Sequence, residues 1–498
     1  MALAPPQIIR KMKKLKSIII MLLVLVLLVI VYLVASPMWS EDTPEDTSGE
    51  ETFAVATIDH TLLVGLELTW GEEASLSFTL NDKATEWDWS ENGDVPLDNM
   101  AFATVVTSLN DARSKYKLEG VAAEELAEYG LDEPSMKVKF SFSDSSSKEY
   151  FFGKLNSFNN LYYISEASAP TTVYMVDAAV KDSLELEIYD FVLEETPPAI
   201  TEAKINRVEY YPQLDEFYTI FSYHPSGKAS EYTDRYEWYY NIDHKNISSS
   251  SVIAPGYPVD GDVADTLASL VTGLSFDECV GLDYSDGNYG FTDTHKIVIS
   301  YNAAEGETDV LQKQEYVIYL GSQTEDGKIY AHTADSKLVY LLGSSDEWIS
   351  LLSSTRAQLL PDEVWLPNYE FVDSMTLTSG ADAVTVNVKT TDGNTSFTSS
   401  ASDDAEAISA LVKALENLTA KSNVEYFSDD SSLVEPAEMF AVEIAFNAGA
   451  APKLDMIIER YSQNYCIVNF NGRADQLVTL EDAQAIVDMI ASLGKKVA

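Results

Sequence analysis

The chain has 498 residues, with 80 Asp+Glu against 32 Lys+Arg and a formal net charge of −48. Its 46% hydrophobic and 11% aromatic content is enough to pack cores, which excludes global disorder, and its acidity excludes a sequence-independent nucleic-acid binder, because phosphates would be repelled. Two cysteines, Cys279 and Cys466, are too few for a disulfide scaffold or a Cys-rich zinc module, and their apolar and aromatic neighbours suit buried free thiols.

The charge divides along the chain. Residues 1–40 contain Arg10, Lys11, Lys13, Lys14 and Lys16 and no acid, so residues 41–498 hold all 80 acids against 27 bases, a net of −53. Residues 1–17 form a basic stub. Residues 18–35 (IIIMLLVLVLLVIVYLVA) carry no charge and are almost wholly Leu, Ile and Val. A helix of that length spans ~27 Å, close to the hydrocarbon thickness of a bilayer. Tyr32 and Trp39 fall near the outer interface, where amphipathic rings are favoured. The bases precede the span, so the expectation is a single-pass signal anchor in the cell membrane. Its N-terminus is cytoplasmic and residues 41–498 are extracytoplasmic. A cleaved signal peptide fits less well, because its apolar region is usually ~7–15 residues and Pro37 is a poor setting for cleavage. Residues 36–53 follow as a linker, with six acids in SEDTPEDTSGEET, residues 40–52.

Beyond the linker the sequence repeats. Pro96-Leu97-Asp98 precedes an amphipathic stretch, and Pro258-Val259-Asp260 precedes another. A third begins near Asp403, where Asp403 and Glu406 suggest a capping box. About thirty residues on comes a second marker, Tyr129-Gly130-Leu131 in the first copy and Tyr289-Gly290-Phe291 in the second. Leu433-Val434-Glu435-Pro436 stands there in the third, and an alternating apolar strand follows each. A third marker holds Gly153 and Tyr174 in the first copy, and Gly321 and Tyr340 in the second. Asp98 lies 162 residues before Asp260, and Gly153 lies 168 before Gly321. Near-constant offsets for ordered markers predict three tandem related modules. They are expected at residues 54–197, 198–363 and 364–498, the last diverged, with breaks at Pro197-Pro198 and near Pro361 to Pro367. Each reads as short strands, a Trp-bearing strand (Trp87 and Trp89, then Trp238), a capped helix, alternating strands and a closing helix, which in the third copy is followed by Gly494 and two lysines as a C-terminal cap. The fold class is α+β, antiparallel sheets with covering helices.

The motifs that invite a chemical reading have structural ones beside them. In YGLDEP, residues 129–134, Gly130 can end a short helix in the left-handed conformation, Leu131 can fold back on it, and Pro134 prevents its resumption. A carboxylate dyad of Asp132 and Glu133 is disfavoured, since the second copy has Thr292 at the first position. Ser145 and Lys148 satisfy SxxK, but sit in a polar hairpin tip without companion motifs. His60, His224, His244, His295 and His332 are scattered without ligand spacing. Residues 283–293 (DYSDGNYGFTD) lack the EF-hand positions and a closing Glu, and read as a connector, with weak calcium binding as the alternative. The 28 tyrosines can pack, face solvent or supply a binding surface, packing being the commoner role on alternating strands. No catalytic, cofactor-binding or metal-ligating residue is assigned, and no cofactor is expected.

The basic N-terminus, the single span and the repeated pattern W…P[LV]D…helix…YGL…strand…G…YY…VY resemble the bacterial family called domain of unknown function 4340. The resemblance is clear in the first copy, good in the second and faint in the third. It implies a surface-facing or periplasm-facing protein, often found beside gliding-motility-type ABC transporters as an auxiliary component. It brings no catalytic residues. The expectation is therefore a membrane-anchored extracytoplasmic accessory or binding protein, non-catalytic, acting with an ABC transporter permease or another envelope protein and with no nucleic-acid partner. The alternatives are an extracellular hydrolase using dispersed carboxylates, and a cell-surface spacer or adhesin.

Overall fold

The computed structural model describes residues 52–71, 74–81, 85–215, 217–224, 233, 235–244, 257–304, 311–421, 437–447, 454–470 and 473–496. The basic stub, the apolar span at residues 18–35 and all but the last two residues of the acidic linker lie outside them. Among the described residues no helix is long and apolar enough to cross a membrane. The chain divides into two compact units, Met1–Glu187 and Ile188–Ala498.

The first unit is built on one antiparallel sheet. Its main strands are β1 (Leu63–Trp70), β2 (Ala74–Leu80), β3 (Trp87–Trp89), β4 (Met136–Phe142), β5 (Ser147–Asn156), β6 (Leu161–Glu166) and β7 (Val173–Asp177). They lie in the order β3-β2-β1-β4-β5-β6-β7, with the short strand Lys117–Leu118 beyond β7. Alternation in β4 buries Met136, Val138, Phe140 and Phe142 on one face. Helix α1 (Asn99–Asn110) buries Phe102, Val105, Val106 and Leu109, and Phe102 meets Phe78 of β2 and stacks on Trp87 of β3. Asp98 caps α1, its carboxylate accepting from Met100 N at 2.9 Å.

The second unit contains two further antiparallel sheets. One comprises β8 (Ile205–Tyr211), β9 (Phe217–Tyr223), β10 (Trp238–His244), β11 (Phe276–Gly281), β12 (Lys296–Ala304), β13 (Leu311–Gln323), β14 (Ile329–Thr333) and β15 (Val339–Leu342). Its order is β10-β9-β8-β12-β13-β14-β15-β11, with Tyr257–Pro258 beyond β10. The other comprises β16 (Val372–Ser379), β17 (Asp382–Thr391), β18 (Asn394–Ser399), β19 (Glu438–Phe446), β20 (Leu454–Arg460), β21 (Tyr465–Phe470) and β22 (Arg473–Thr479), in the order β18-β17-β16-β19-β20-β21-β22. In all three sheets a three-strand meander is followed by a helix, and the chain then returns beside the first strand for a second meander. That helix is α4 (Gly261–Thr272) for the second sheet and α7 (Ala405–Glu416) for the third; α2 (Leu126–Tyr129) and α3 (Ala178–Asp182) belong to the first unit, and α5 (Ser345–Leu352) and α6 (Arg356–Leu359) follow β15 in the second.

Three details differ from the sequence reading. The cap of α7 is Asp404, not Asp403: Asp404 accepts from Glu406 N and Ala407 N at 3.1 and 3.0 Å. Gly494, after α8 (Leu480–Leu493), is extended rather than left-handed, and the following Lys495–Lys496 pairs with β17. Its small size is required for another reason, since a Cβ there would lie 2.7 Å from the Ile490 carbonyl oxygen. Finally, the second unit begins at Ile188, ahead of Pro197-Pro198. Phe191 is fully buried, and the Glu195 carboxylate accepts from Tyr316 and Thr333 hydroxyls at 2.8 and 2.6 Å. These contacts fasten residues 188–195 to the second sheet.

The repeated Tyr-Gly and strand-Gly markers prove to be two halves of one contact. Gly130 ends α2 with φ +68°, and Leu131 N returns to the Leu126 carbonyl at 3.0 Å. Leu131 is buried with Val121 and Val173. The loop so turned lies on β5, where a Cβ on Gly153 would sit 2.2 Å from the Tyr129 carbonyl oxygen. In the second sheet Gly290 has φ +75°, Ser322 N donates to the Tyr289 carbonyl at 2.6 Å, and a Cβ on Gly321 would sit 2.3 Å from that oxygen. Tyr129 packs on Tyr163, and Tyr289 on Tyr330. By register the third sheet has Glu459 at the glycine position, and its sequence lacks the Tyr-Gly pair.

Candidate functional site

The second sheet carries a feature absent from the equivalent rows of the other two. Register places Tyr211 opposite Lys296, Lys296 opposite Tyr319, and Tyr319 opposite His332. The β8–β9 pairing brings Tyr218 beside Tyr211. Tyr218 and Tyr211 stack with centroids 4.4 Å apart and planes 7° apart. The Lys296 ammonium lies 5.5 Å from the ring centroids of both Tyr211 and Tyr319. Tyr319 stacks on His332 at 4.7 Å and 9°. Tyr284, on the loop between β11 and β12, covers the other face of His332 at 4.1 Å and 8°. A continuous row of five rings and one cation thus crosses the sheet. The adjacent residues Ile297, Ile318 and Ala331 point to the opposite, buried face. The equivalent row is Thr69, Lys137, Phe151 and Ser165 in the first sheet, and Thr378, Ala441, Ile457 and Asn469 in the third.

The loop at residues 282–295 builds one wall of a cleft of about 730 Å³ over the end of this row. Tyr284, Asn288, Phe291, Thr292, Asp293, Tyr319 and His332 line it. The loop is pinned at both ends. Asp283 accepts from the amide and hydroxyl of Ser285 at 2.9 and 2.6 Å, and Tyr284 N donates to the Lys337 carbonyl at 2.9 Å. Midway the Tyr289 carbonyl is held by Ser322, and at the other end Leu320 N donates to the His295 carbonyl at 2.9 Å. The Ser285 hydroxyl holds the Asp283 carboxyl below its usual range. With Asp283 engaged by Ser285 and facing Lys337 at 3.7 Å, its oxygens are committed to shaping the loop. Among the described residues no three His, Cys, Asp or Glu side chains converge to hold a metal ion.

His332 is 6% exposed, and its Nδ1 lies 2.8 Å from the Thr333 carbonyl oxygen. A carbonyl can only accept, so Nδ1 carries a proton, and in the neutral ring Nε2 is an acceptor. Burial lowers the His332 pKa; the Thr333 carbonyl and the Glu195 charge oppose that and are outweighed.

The residues singled out in the sequence mostly have other work. Asp132 and Glu133 are exposed. Ser145 has a positive φ at a hairpin tip, and the Lys148 ammonium donates to the Thr57 carbonyl. Cys279 and Cys466 are buried free thiols, each pushed up to about 11 by burial. Among the described histidine side chains, His332 alone lines the cleft. The row of rings and cation escaped sequence reading because its members lie on five strands and a loop. The tyrosines of each strand are visible in the sequence, but their alignment across strands is not.

Three antiparallel sheets with covering helices make an α+β architecture, and the second sheet carries the aromatic cleft. Residues 87–249 match the family model described as Domain of unknown function (DUF4340), the family their motifs resemble. The match runs from the Trp-bearing strand of the first sheet to just beyond that of the second, about one repeat length. No curated protein and no solved structure matches the chain.

Proposed function

We propose that the chain is a membrane-anchored extracytoplasmic accessory or binding protein. In this reading residues 18–35 hold it in the cell membrane and residues 41–498 lie outside. The three sheets are tandem copies of one module, and the second copy presents the ligand or partner surface. The observation that carries the binding role is the contrast between copies. The first two sheets share strand order and the Tyr-Gly interlock, yet the ring row and its cleft occur in the second. Duplication that keeps the fold and elaborates one copy leaves the others as scaffold. The cleft is held open by paired side chains, so little ordering cost falls on binding. The acidic body repels an anionic headgroup surface and keeps the module clear of it.

The partner we propose is an ABC transporter permease or another envelope complex, on the strength of the family resemblance and the anchor. Solubilisation in mild detergent after in-cell crosslinking tests it. Recovery of a permease with the full chain is expected; recovery of the chain alone would remove the transporter from the account.

A further inference from the structure

We infer that the cleft at residues 282–295 takes the ring of an uncharged sugar, as part of a glycan, with Tyr284 as its stacking platform. This deepens the binding role proposed above and rests on it. Tyr284 is 41% exposed, yet its ring is not loose: one face lies against His332 and its backbone is tied to Lys337. An exposed, pre-oriented aromatic face is what the apolar C–H face of a pyranose requires. Sugar hydroxyls need donors and acceptors around that platform, and Asn288, Thr292 and Asp293 supply both. Neutral His332 adds an acceptor at Nε2.

Size and charge narrow the class. The cleft is about 730 Å³, within the ~300–1,000 Å³ of small-molecule sites. Among the described residues no Lys or Arg lines it, and Asp293 does, so a phosphorylated or carboxylated sugar meets repulsion. An organic cation would need several ring faces converging on one point. Here the faces of Tyr319 and His332 are spent on each other, and Phe291 meets His332 and Tyr284 edge-on. One open face with a polar rim favours the sugar.

The test uses the full chain in a detergent without a sugar headgroup, titrated with two neutral hexasaccharides, one of glucose and one of N-acetylglucosamine. Tetramethylammonium chloride and an uncharged decapeptide are run alongside. Saturation-transfer NMR and calorimetry read binding, and thermal melting checks that each variant is folded. Binding of at least one hexasaccharide is expected, weakened at least about tenfold by Tyr284→Ala and kept by Tyr284→Trp. Failure of both hexasaccharides, or binding indifferent to Tyr284→Ala, overturns the inference. If tetramethylammonium or the peptide binds instead and Tyr284→Ala abolishes it, the sugar assignment falls while the cleft keeps its binding role. If no probe binds, the ligand-binding reading of the cleft falls with it.

Discussion

Gly153 and Gly321 each let a loop carbonyl come closer to a strand than any side chain allows. A methyl group at either would meet backbone oxygen at 2.2 or 2.3 Å, and backbone cannot swing aside as a side-chain tip can. Gly153→Ala and Gly321→Ala are each expected to cost ~1–3 kcal/mol in urea unfolding. Gly261→Ala, at the start of α4 with open space around its Cβ, is the matched control and should be neutral or up to ~1 kcal/mol stabilising. An equal loss in all three would remove the interlock from the account. At this scale the sequence was informative about which residues recur and silent about why. Tyr129-Gly130 and Gly153 were found as separate markers because the contact joining them spans two elements. Asp403 and Asp404 are indistinguishable as caps until the geometry shows which carboxylate meets the amides of Glu406 and Ala407.

Elements were read better than their alignment. Period-two alternation in MKVKFSF and HKIVISY assigns strands and their buried faces, and Asp98 and Asp260 cap helices as their positions imply. Register is not in the alternation. It depends on turn lengths and on irregularities such as the shift between Leu320 and Gln323, so Lys296, Tyr319 and His332 could not be seen as neighbours. Once aligned, the row makes two predictions. Lys296→Gln removes a cation shared by two rings and should cost ~0.5–2 kcal/mol in urea unfolding, more than the same change at Lys137, whose partners Thr69 and Phe151 offer no such pair of rings. His332 is held below its ordinary value of 6.5 by burial, so the unfolded chain takes up this proton first as pH falls. Its contribution is complete above pH 6.5 and is lost as pH falls toward the folded-state value. Melting temperature of the second unit should therefore drop below that pH, and His332→Phe should flatten the drop. His224 is lowered by burial too, so a residual slope is expected in the variant. An unchanged profile in His332→Phe would show that the buried ring is not what responds.

For the whole molecule the unit of organisation is coarser than the repeat. Residues 188–498 hold two sheets in one compact unit, while residues up to 187 form another. Calorimetry of the full chain should resolve at least two unfolding transitions, and a fragment of residues 188–498 should reproduce one of them. The break at Ile188 was not legible because Pro197-Pro198 is the conspicuous punctuation. What decides the matter is the burial of Phe191 and the bonds to Glu195, which no local pattern announces. The division of charge into a basic stub of five cations and an acidic remainder of −53 was legible at once, and the proposed topology rests on it. Phe158, 99% exposed at the β5–β6 hairpin, gives a direct probe, because both native cysteines are buried. With Phe158→Cys in the full chain, a membrane-impermeant thiol reagent applied to spheroplasts, in which the cell membrane is intact and exposed, should label the protein as fully as it does after lysis. Labelling only after lysis would place the body inside the cell and contradict the extracytoplasmic binding role.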